Sequence, residues 1–401
     1  MGVPDVKIRY FMLHAYGMGG TIRTVVNQAN AMAAAGHDVE LVSLVRRRDT
    51  PQFTLDPRVG ITTLADQRDG RQPDTIGRRA WRKVRGKIVP RGEFAADYFT
   101  ERVEWAAMEY VSGLRDGILV TTRPALNLIA ARRAARSVVK VAQEHMNLSA
   151  YPDTIRKEIA RYYDRFDAIT VLTRTNRLEY QRLLPSTPIV QIPNAVHQAD
   201  QERSQQANPV VIAAGRLVPQ KGFDLLIPAF AQVVREHPEW RLRVFGTGPR
   251  RGQLEGLVDQ FGLGEHVSLP GRTERLDKEL ADASVYALSS RFEGLPMVMI
   301  EAMTHALPVV AYDCPTGPRD VLTDGVDGVL VPPRDVDALA AALIRVIGDR
   351  ELRVRMGKAA HKASRAYAPE LVMPLWEDLF SELLAGERVS DNFWVSGKRF
   401  T

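Results

Sequence analysis

The chain is 401 residues long, 45% hydrophobic and 25% charged, with a formal net charge of +6 and a single cysteine. That balance excludes a disordered or fibrous chain, and at roughly 150 residues per domain the length predicts two globular domains. No run reaches the ~18 apolar residues of a membrane-spanning helix, and the lone Cys314 can supply neither an internal disulfide nor a metal cluster.

In chain order, KIRYFML from Lys7 reads as a strand, Gly17 to Gly20 as a glycine turn, Thr21 to Ala35 as a helix stopped by Gly36, and DVELVSLV as the next strand. The start of the chain shows no separate charged and apolar leader, so a cytoplasmic protein is expected. A long basic insert runs from about Arg46 to Arg91. Its last part, RRAWRKVRGKIVPR from Arg78, holds no acidic residue and interleaves Trp81, Val84, Ile88 and Val89 with cations. That pattern suits peripheral attachment to an anionic membrane surface, with a solvated basic face as the equal alternative. Net positive charge favours an anionic partner, and nucleic acid is not the one expected. GILVTT, VVKVAQE and AITVLT supply further strands, each separated by room for a crossover helix.

The polar run HQADQERSQQAN, His197 to Asn208, reads as an interdomain linker. A second series comes after it: PVVIAAG, the helix FDLLIPAFAQVVREH, the strand WRLRVFG, a helix from about Arg250 to Phe261, then the strands HVSLPG, ASVYALSS and LPVVAYD. Strands alternating with helices predict an α/β protein of two Rossmann-like, doubly wound domains. The expected divisions are 1–196, a linker at 197–208, 209–368, and 369–401, whose helix, about Glu370 to Leu384, returns to the first domain.

Three turns in the second half concentrate the chemistry. GRLVPQKG, Gly215 to Gly222, places Arg216 and Lys221 around a turn, a forked guanidinium and a compact ammonium suited to a diphosphate. FGTGP puts Gly246 where backbone can approach a ligand closely. SSRFEGLPMVMIE ends a strand, turns at Gly294 and opens a helix at Pro296, leaving the amides around Gly294 and Leu295 for an incoming oxygen. Glu293 and Glu301 frame that turn, about 10 Å apart if both follow one helix axis. At that separation they share neither a proton nor a metal, but can grip two ends of an extended ligand. All three turns fall at the carboxyl edge of one predicted sheet, where open α/β folds bind ligands.

In the first half, Gly19 and Gly20 let a phosphate or sugar approach a helix start. Ile22 breaks the G-x-G-x-x-G pattern and the second strand ends in Arg46 to Arg48, which argues against a dinucleotide oxidoreductase. Glu144 and His145 close a strand, and His145 reads equally as a ligand donor or a structural histidine. Asp335 and Asp337 have metal-like spacing but fit a helix cap better. No hydrolase triad has a recognisable signature, and neither a metal nor another cofactor is expected.

Together with LPVVAYDCPTGPRDVL and DGVLVPP, these motifs resemble family 4 glycosyltransferases of the GT-B fold over nearly all of the second half. The first half is similar mainly through its glycine turn, GHDVELVS and the Glu144-His145 edge. The resemblance implies donor binding by the second domain, acceptor binding by the first, and chemistry in a cleft between them. It implies that Arg216 and Lys221 hold the donor diphosphate, Glu301 the ribose, and Glu293 with the Gly294 and Leu295 amides the transferred sugar. Gly246 joins the donor site, His145 contacts the sugar, and Gly19 and Gly20 lie near the phosphate. Transfer in that family retains anomeric configuration without a metal, the leaving phosphate accepting the acceptor's proton. The expected reaction moves a hexose or N-acetylhexosamine from a UDP-sugar to a cell-envelope glycan, lipid-linked intermediate or polyanion. A catalytically silent partner subunit, a nucleotide-sugar epimerase and a phosphorylase on the same fold are the alternatives.

Overall fold

The computed structural model describes residues 6–70, 88–90, 92–197, 202–387 and 389. The chain divides into two compact units, one running to Pro193 and taking in residues from Val372, the other spanning Asn194–Leu371.

Unit 1 is built on a seven-stranded sheet whose strands are β1 Lys7–Met12, β2 Asp38–Arg46, β3 Gly60–Asp66, β4 Ile118–Thr121, β5 Val139–Gln143, β6 Ala168–Val171 and β7 Ile189–Gln191. Their order is β3-β2-β1-β4-β5-β6-β7, and every pairing is parallel. Central strands such as Ile118–Thr121 are buried throughout, the continuous apolar run of a sheet covered on both faces. Strand order reverses between β1 and β4, and the helices Gly20–Ala34 and Pro124–Arg133 leave those two strands.

Unit 2 repeats the plan with six parallel strands, β8 Val210–Ala214, β9 Arg241–Phe245, β10 Val267–Gly271, β11 Val285–Leu288, β12 Val309–Tyr312 and β13 Gly328–Val331, in the order β10-β9-β8-β11-β12-β13. The reversal falls between β8 and β11. Each unit is therefore a Rossmann-like, doubly wound α/β body. Asp335 caps the helix Val336–Gly348, accepting the Ala338 N–H at 2.9 Å, as its spacing suggested.

The stretch read as a basic insert from Arg46 is in part sheet: Arg46 closes β2, and β3 runs along it in parallel register from Gly60. Within RRAWRKVRGKIVPR, residues 78–87 and 91 lie outside the described residues. Ile88 and Val89 are 4% and 6% exposed and belong to the hydrophobic core of unit 1, so they are not a lipid-facing surface. The Ile88 N–H also donates to Glu104 Oε1 at 2.7 Å.

The expected linker 197–208 differs as well. Unit 2 already begins at Asn194, residues 198–201 lie outside the described residues, and Ser204 and Gln206 are buried in unit 2 rather than spanning between domains. Ser204 N–H donates to His305 O at 2.9 Å and Gln206 Nε2 to Ala306 O at 2.8 Å, so this polar stretch serves buried carbonyls. The last helix is Pro369–Ala385; Val372, Leu375, Trp376, Leu379 and Phe380 form its buried stripe at helical spacing, and from Val372 it belongs to unit 1. Among the described residues no helix is long and apolar enough to cross a membrane.

Candidate active site

The three turns of unit 2 are laced into one surface. Gly215 N–H donates to Phe245 O at 2.9 Å, Leu217 N–H to Thr247 O at 2.9 Å, and Arg250 N–H back to Leu217 O at 3.1 Å. The approach is so close that a Cβ on Gly246, at φ +135°, would stand 1.9 Å from Gly215 O. Gly222, at φ +63°, passes Ser289 O with the same intimacy, an added Cβ lying 2.0 Å away. Ser289 Oγ then donates to Lys221 O at 2.9 Å, and Arg291 N–H to Gln220 O at 2.7 Å. These crossings bring Arg216, Lys221, Gly246 and Glu293 to the carboxyl edge of unit 2's sheet at its order reversal, where the topology opens a crevice.

Lys221 Nζ sits 2.6 Å from Glu293 Oε1, and Ser290 Oγ donates to the same oxygen at 2.5 Å. The Glu293 side chain is only 6% exposed and that of Lys221 20%. The Glu293 carbonyl accepts the Thr316 hydroxyl at 2.5 Å, which fixes the turn from the other side. Arg216, by contrast, is exposed, and no hydrogen bond or ion pair joins its side chain to another described residue. Its guanidinium is thus available to an external anion. Burial first, and then the Glu293 charge, push the Cys314 thiol up to about 12.

The helix after this turn is Met297–Thr304, with Pro296 at its N-cap position and not inside its first turn. Glu293 therefore precedes the helix and Glu301 lies within it, so the expected separation along one helix axis does not describe them. Both carboxylates act on the same buried phenol of Tyr286, which burial first, and then Glu293 and Glu301, push well above its ordinary range. Leu295 is buried beneath the turn and Gly294 partly exposed.

The remaining named residues, Gly19, Gly20 and His145, belong to unit 1. There a cavity of about 220 Å³ is lined by residues after β1 (Leu13, His14), by Thr21 and Ile22 of the next helix, by Glu93 and Phe94, by Thr122, Arg123 and Pro124 after β4, and by His145, Met146 and Tyr151 after β5. A Cβ on Gly17 would come 2.8 Å from the His14 ring, whereas at Gly19 and Gly20 it would meet nothing within 4 Å. His145 has both ring nitrogens closed off from solvent and without a hydrogen-bond partner, and burial holds its pKa down to about 4. Burial, helped by Arg47 and Arg48, lowers His14 too. Both imidazoles are neutral at pH 7.

Glu144 plays a separate part. It is fully buried, its Oε1 accepting from Asn127 Nδ2 and the Tyr163 hydroxyl, each at 2.8 Å, and its Oε2 from the Tyr151 hydroxyl at 2.7 Å. Burial raises its pKa. His14, Glu93, Phe94, Arg123 and Tyr151 are cavity residues that sequence reasoning missed. One signal was legible: TTRP ends a strand with Pro124 at the first helical position, the same strand-turn-helix edge that singled out the turns of unit 2.

Residues 197–363 match the family described as glycosyl transferases group 1. The chain is 34% identical over 392 residues to an exopolysaccharide phosphotransferase of Streptomyces coelicolor, covering 95% of this chain but only 41% of that protein. It is 26% identical over 375 residues to the amylovoran biosynthesis glycosyltransferase AmsD of Erwinia amylovora, covering 90% of this chain and 96% of that one. Among solved structures, S. aureus TarM, crystallised as a G117R mutant with fondaparinux, alpha-GlcNAc-glycerol and UDP, superposes with a TM-score of 0.75 at 17% identity, over 94% of this chain and all of that one. Two Rossmann-like units with this likeness make the fold GT-B, and the chain belongs to the group 1 glycosyltransferases.

Proposed function

We propose that this protein transfers a hexose or N-acetylhexosamine from a UDP-sugar to a cell-envelope glycan or lipid-linked acceptor, retaining anomeric configuration and using no metal, as a family 4 enzyme does. The observation that carries the reading is the Arg216, Lys221 and Glu293 cluster: an exposed guanidinium with no partner among the described residues, beside an ammonium tied to a buried carboxylate, at the edge where the sheet order reverses. Arg216 and Lys221 take the donor diphosphate; Lys221 has three N–H donors, so bonding Glu293 leaves two for phosphate oxygens. Their charge stabilises the leaving diphosphate as its bond to the anomeric carbon breaks. Glu293, with the Gly294 and Leu295 amides, holds the transferred sugar, Glu301 the ribose, and Gly246 the close backbone approach. Gly19, Gly20 and His145 keep the roles that the resemblance gives them.

The acceptor hydroxyl oxygen bonds to the anomeric carbon on the face the diphosphate leaves, and its proton passes to a diphosphate oxygen. TarM's crystallisation with UDP and AmsD's role in amylovoran biosynthesis, as their names state them, support the donor base and the acceptor class. The reading is tested by incubating the protein with UDP-glucose or UDP-N-acetylglucosamine and a panel of cell-envelope glycan acceptors, with EDTA, and following UDP release by chromatography and the anomeric configuration of the new glycosidic bond by NMR. Release of UDP with an α-configured product supports it; a β-configured product, or release only on adding Mg²⁺, contradicts it.

A further inference from the structure

The two ends of the turn from Gly215 to Gly222 are held by different means. At the Arg216 end the ties are backbone, the Gly215 and Leu217 N–H groups bonding Phe245 O and Thr247 O at the end of β9. The Lys221 end is the 3₁₀ turn Pro219–Lys221, a single turn with little support of its own. Its outside ties come from the turn after β11. Besides the Ser289 and Arg291 bonds already described, Gln220 Nε2 donates to Phe292 O at 3.1 Å. The Arg291 guanidinium then forks onto the two oxygens of Asp224 at 2.8 and 2.7 Å and gives a further bond to Pro219 O at 2.6 Å.

Asp224 stands in the first turn of the helix Phe223–Glu236, just past Gly222. One guanidinium therefore fastens both the start of the 3₁₀ turn and the start of the helix after it, with Lys221 between them. Arg291 also lies two residues before Glu293, whose carboxylate meets Lys221 Nζ at 2.6 Å. Pro219, Asp224 and Arg291 line a cavity of about 290 Å³ that neither Lys221 nor Glu293 lines, so the fork opens on a different surface of the turn from the ammonium. Arg291 holds the Asp224 carboxyl below its ordinary range. Both partners keep contact with water, at 23% and 32% exposure, and a pair so placed adds little to stability. What the fork supplies is fixed geometry.

We propose that Arg291 and Asp224 are positioning residues for the donor diphosphate: their fork fixes the Pro219–Lys221 turn, so that Lys221 meets Glu293 and phosphate oxygens together. The inference rests on the reading of Arg216 and Lys221 as the diphosphate site. Lysine is no substitute at Arg291, because an ammonium is a point charge without a planar fork. Asp224→Asn removes a negative charge, which by itself would tighten an anion, so weaker binding in that variant reads geometry and not charge.

The test is NMR titration of the whole protein with UDP and, separately, with uridine, which lacks both phosphates. The variants are Arg291→Lys, Asp224→Asn and the two combined. Each single variant weakens UDP by about tenfold or more, and the combination weakens it no further than the worse single, since the two residues act as one unit. Uridine binding is unchanged throughout. UDP binding that is also unchanged in the variants overturns the positioning role and leaves the diphosphate site standing. UDP and uridine weakening in step overturns it by making the fork a support of the whole unit. Losses that add in the combined variant overturn it by giving each residue its own effect on the ligand. A wild type that binds UDP no better than uridine removes the diphosphate site, and the positioning role with it.

Discussion

Lys221 and Glu293, 72 residues apart in the chain, meet at 2.6 Å and join the turn after β8 to the turn after β11. The carboxylate is almost wholly buried, and Lys221 and the Ser290 hydroxyl both meet its Oε1. Removing the ammonium alone in Lys221→Met should cost about 1–3 kcal/mol, because it leaves a buried charge short of compensation. Adding Glu293→Gln should recover part of that loss. Urea unfolding of the two single variants and the double variant measures the coupling, and strictly additive effects would deny it.

Glycines in the two units should respond differently. Gly222→Ala and Gly246→Ala force a Cβ to 2.0 and 1.9 Å from backbone oxygens at positive φ, so each should destabilise by roughly 3 kcal/mol or more. Gly19→Ala and Gly20→Ala meet open space, with Gly19 in extended backbone at φ 171°, and should stay within about 0.5 kcal/mol of wild type. If these last two nevertheless lose transfer activity at unchanged melting temperature, their open space is ligand space. Equal destabilisation of all four would contradict the contrast.

His145 sets a pH dependence. Its pKa falls from the ordinary 6.5 to about 4 by burial, so between those values the unfolded chain binds a proton that the native state does not. Stability from this group is complete above about pH 6.5 and is lost as pH drops toward 4, by up to about 3 kcal/mol. His14 acts in the same direction. Comparing wild type with His145→Gln at pH 7 and pH 4.5 by urea unfolding should show the variant losing less; parallel profiles would contradict a buried neutral imidazole.

Ile88 separates a core role from a membrane role at the end of the basic stretch. At 4% exposure within the core of unit 1, Ile88→Ala should cost about 2–4 kcal/mol in the absence of any lipid. A variant as stable as wild type in buffer but weaker on anionic vesicles would reverse that assignment.

The site of unit 2 was legible because its parts are local. A strand end, a glycine at forced φ, a charged residue and a helix start stand together in each of three short strings, and parallel topology brings their carboxyl ends to one edge. The cavity of unit 1 was legible only at His145 and the TTRP edge, since Leu13, Ile22, Phe94 and Tyr151 come from segments without mutual spacing and meet only in the fold. Polarity misled at two places. Gln206 and Ser204 read as linker, yet they bond carbonyls inside unit 2, and the threonines of β3 hid an edge strand whose outer face is half-exposed. Interleaved cations made Ile88 and Val89 look superficial although their side chains point into a core.

A nucleotide-diphosphate site centred on Arg216 is read out by thermal shift with UDP, GDP, ADP and CDP, with and without Mg²⁺, on wild type and Arg216→Ala. A ligand at about a hundred times its dissociation constant adds about 2.7 kcal/mol to native stability, a readily measured rise in melting temperature. UDP should raise the melting temperature equally with and without Mg²⁺, and Arg216→Ala should abolish the rise without lowering the unliganded value. No shift with any nucleotide, or a shift that survives Arg216→Ala, would overturn the assignment of Arg216 to a nucleotide site.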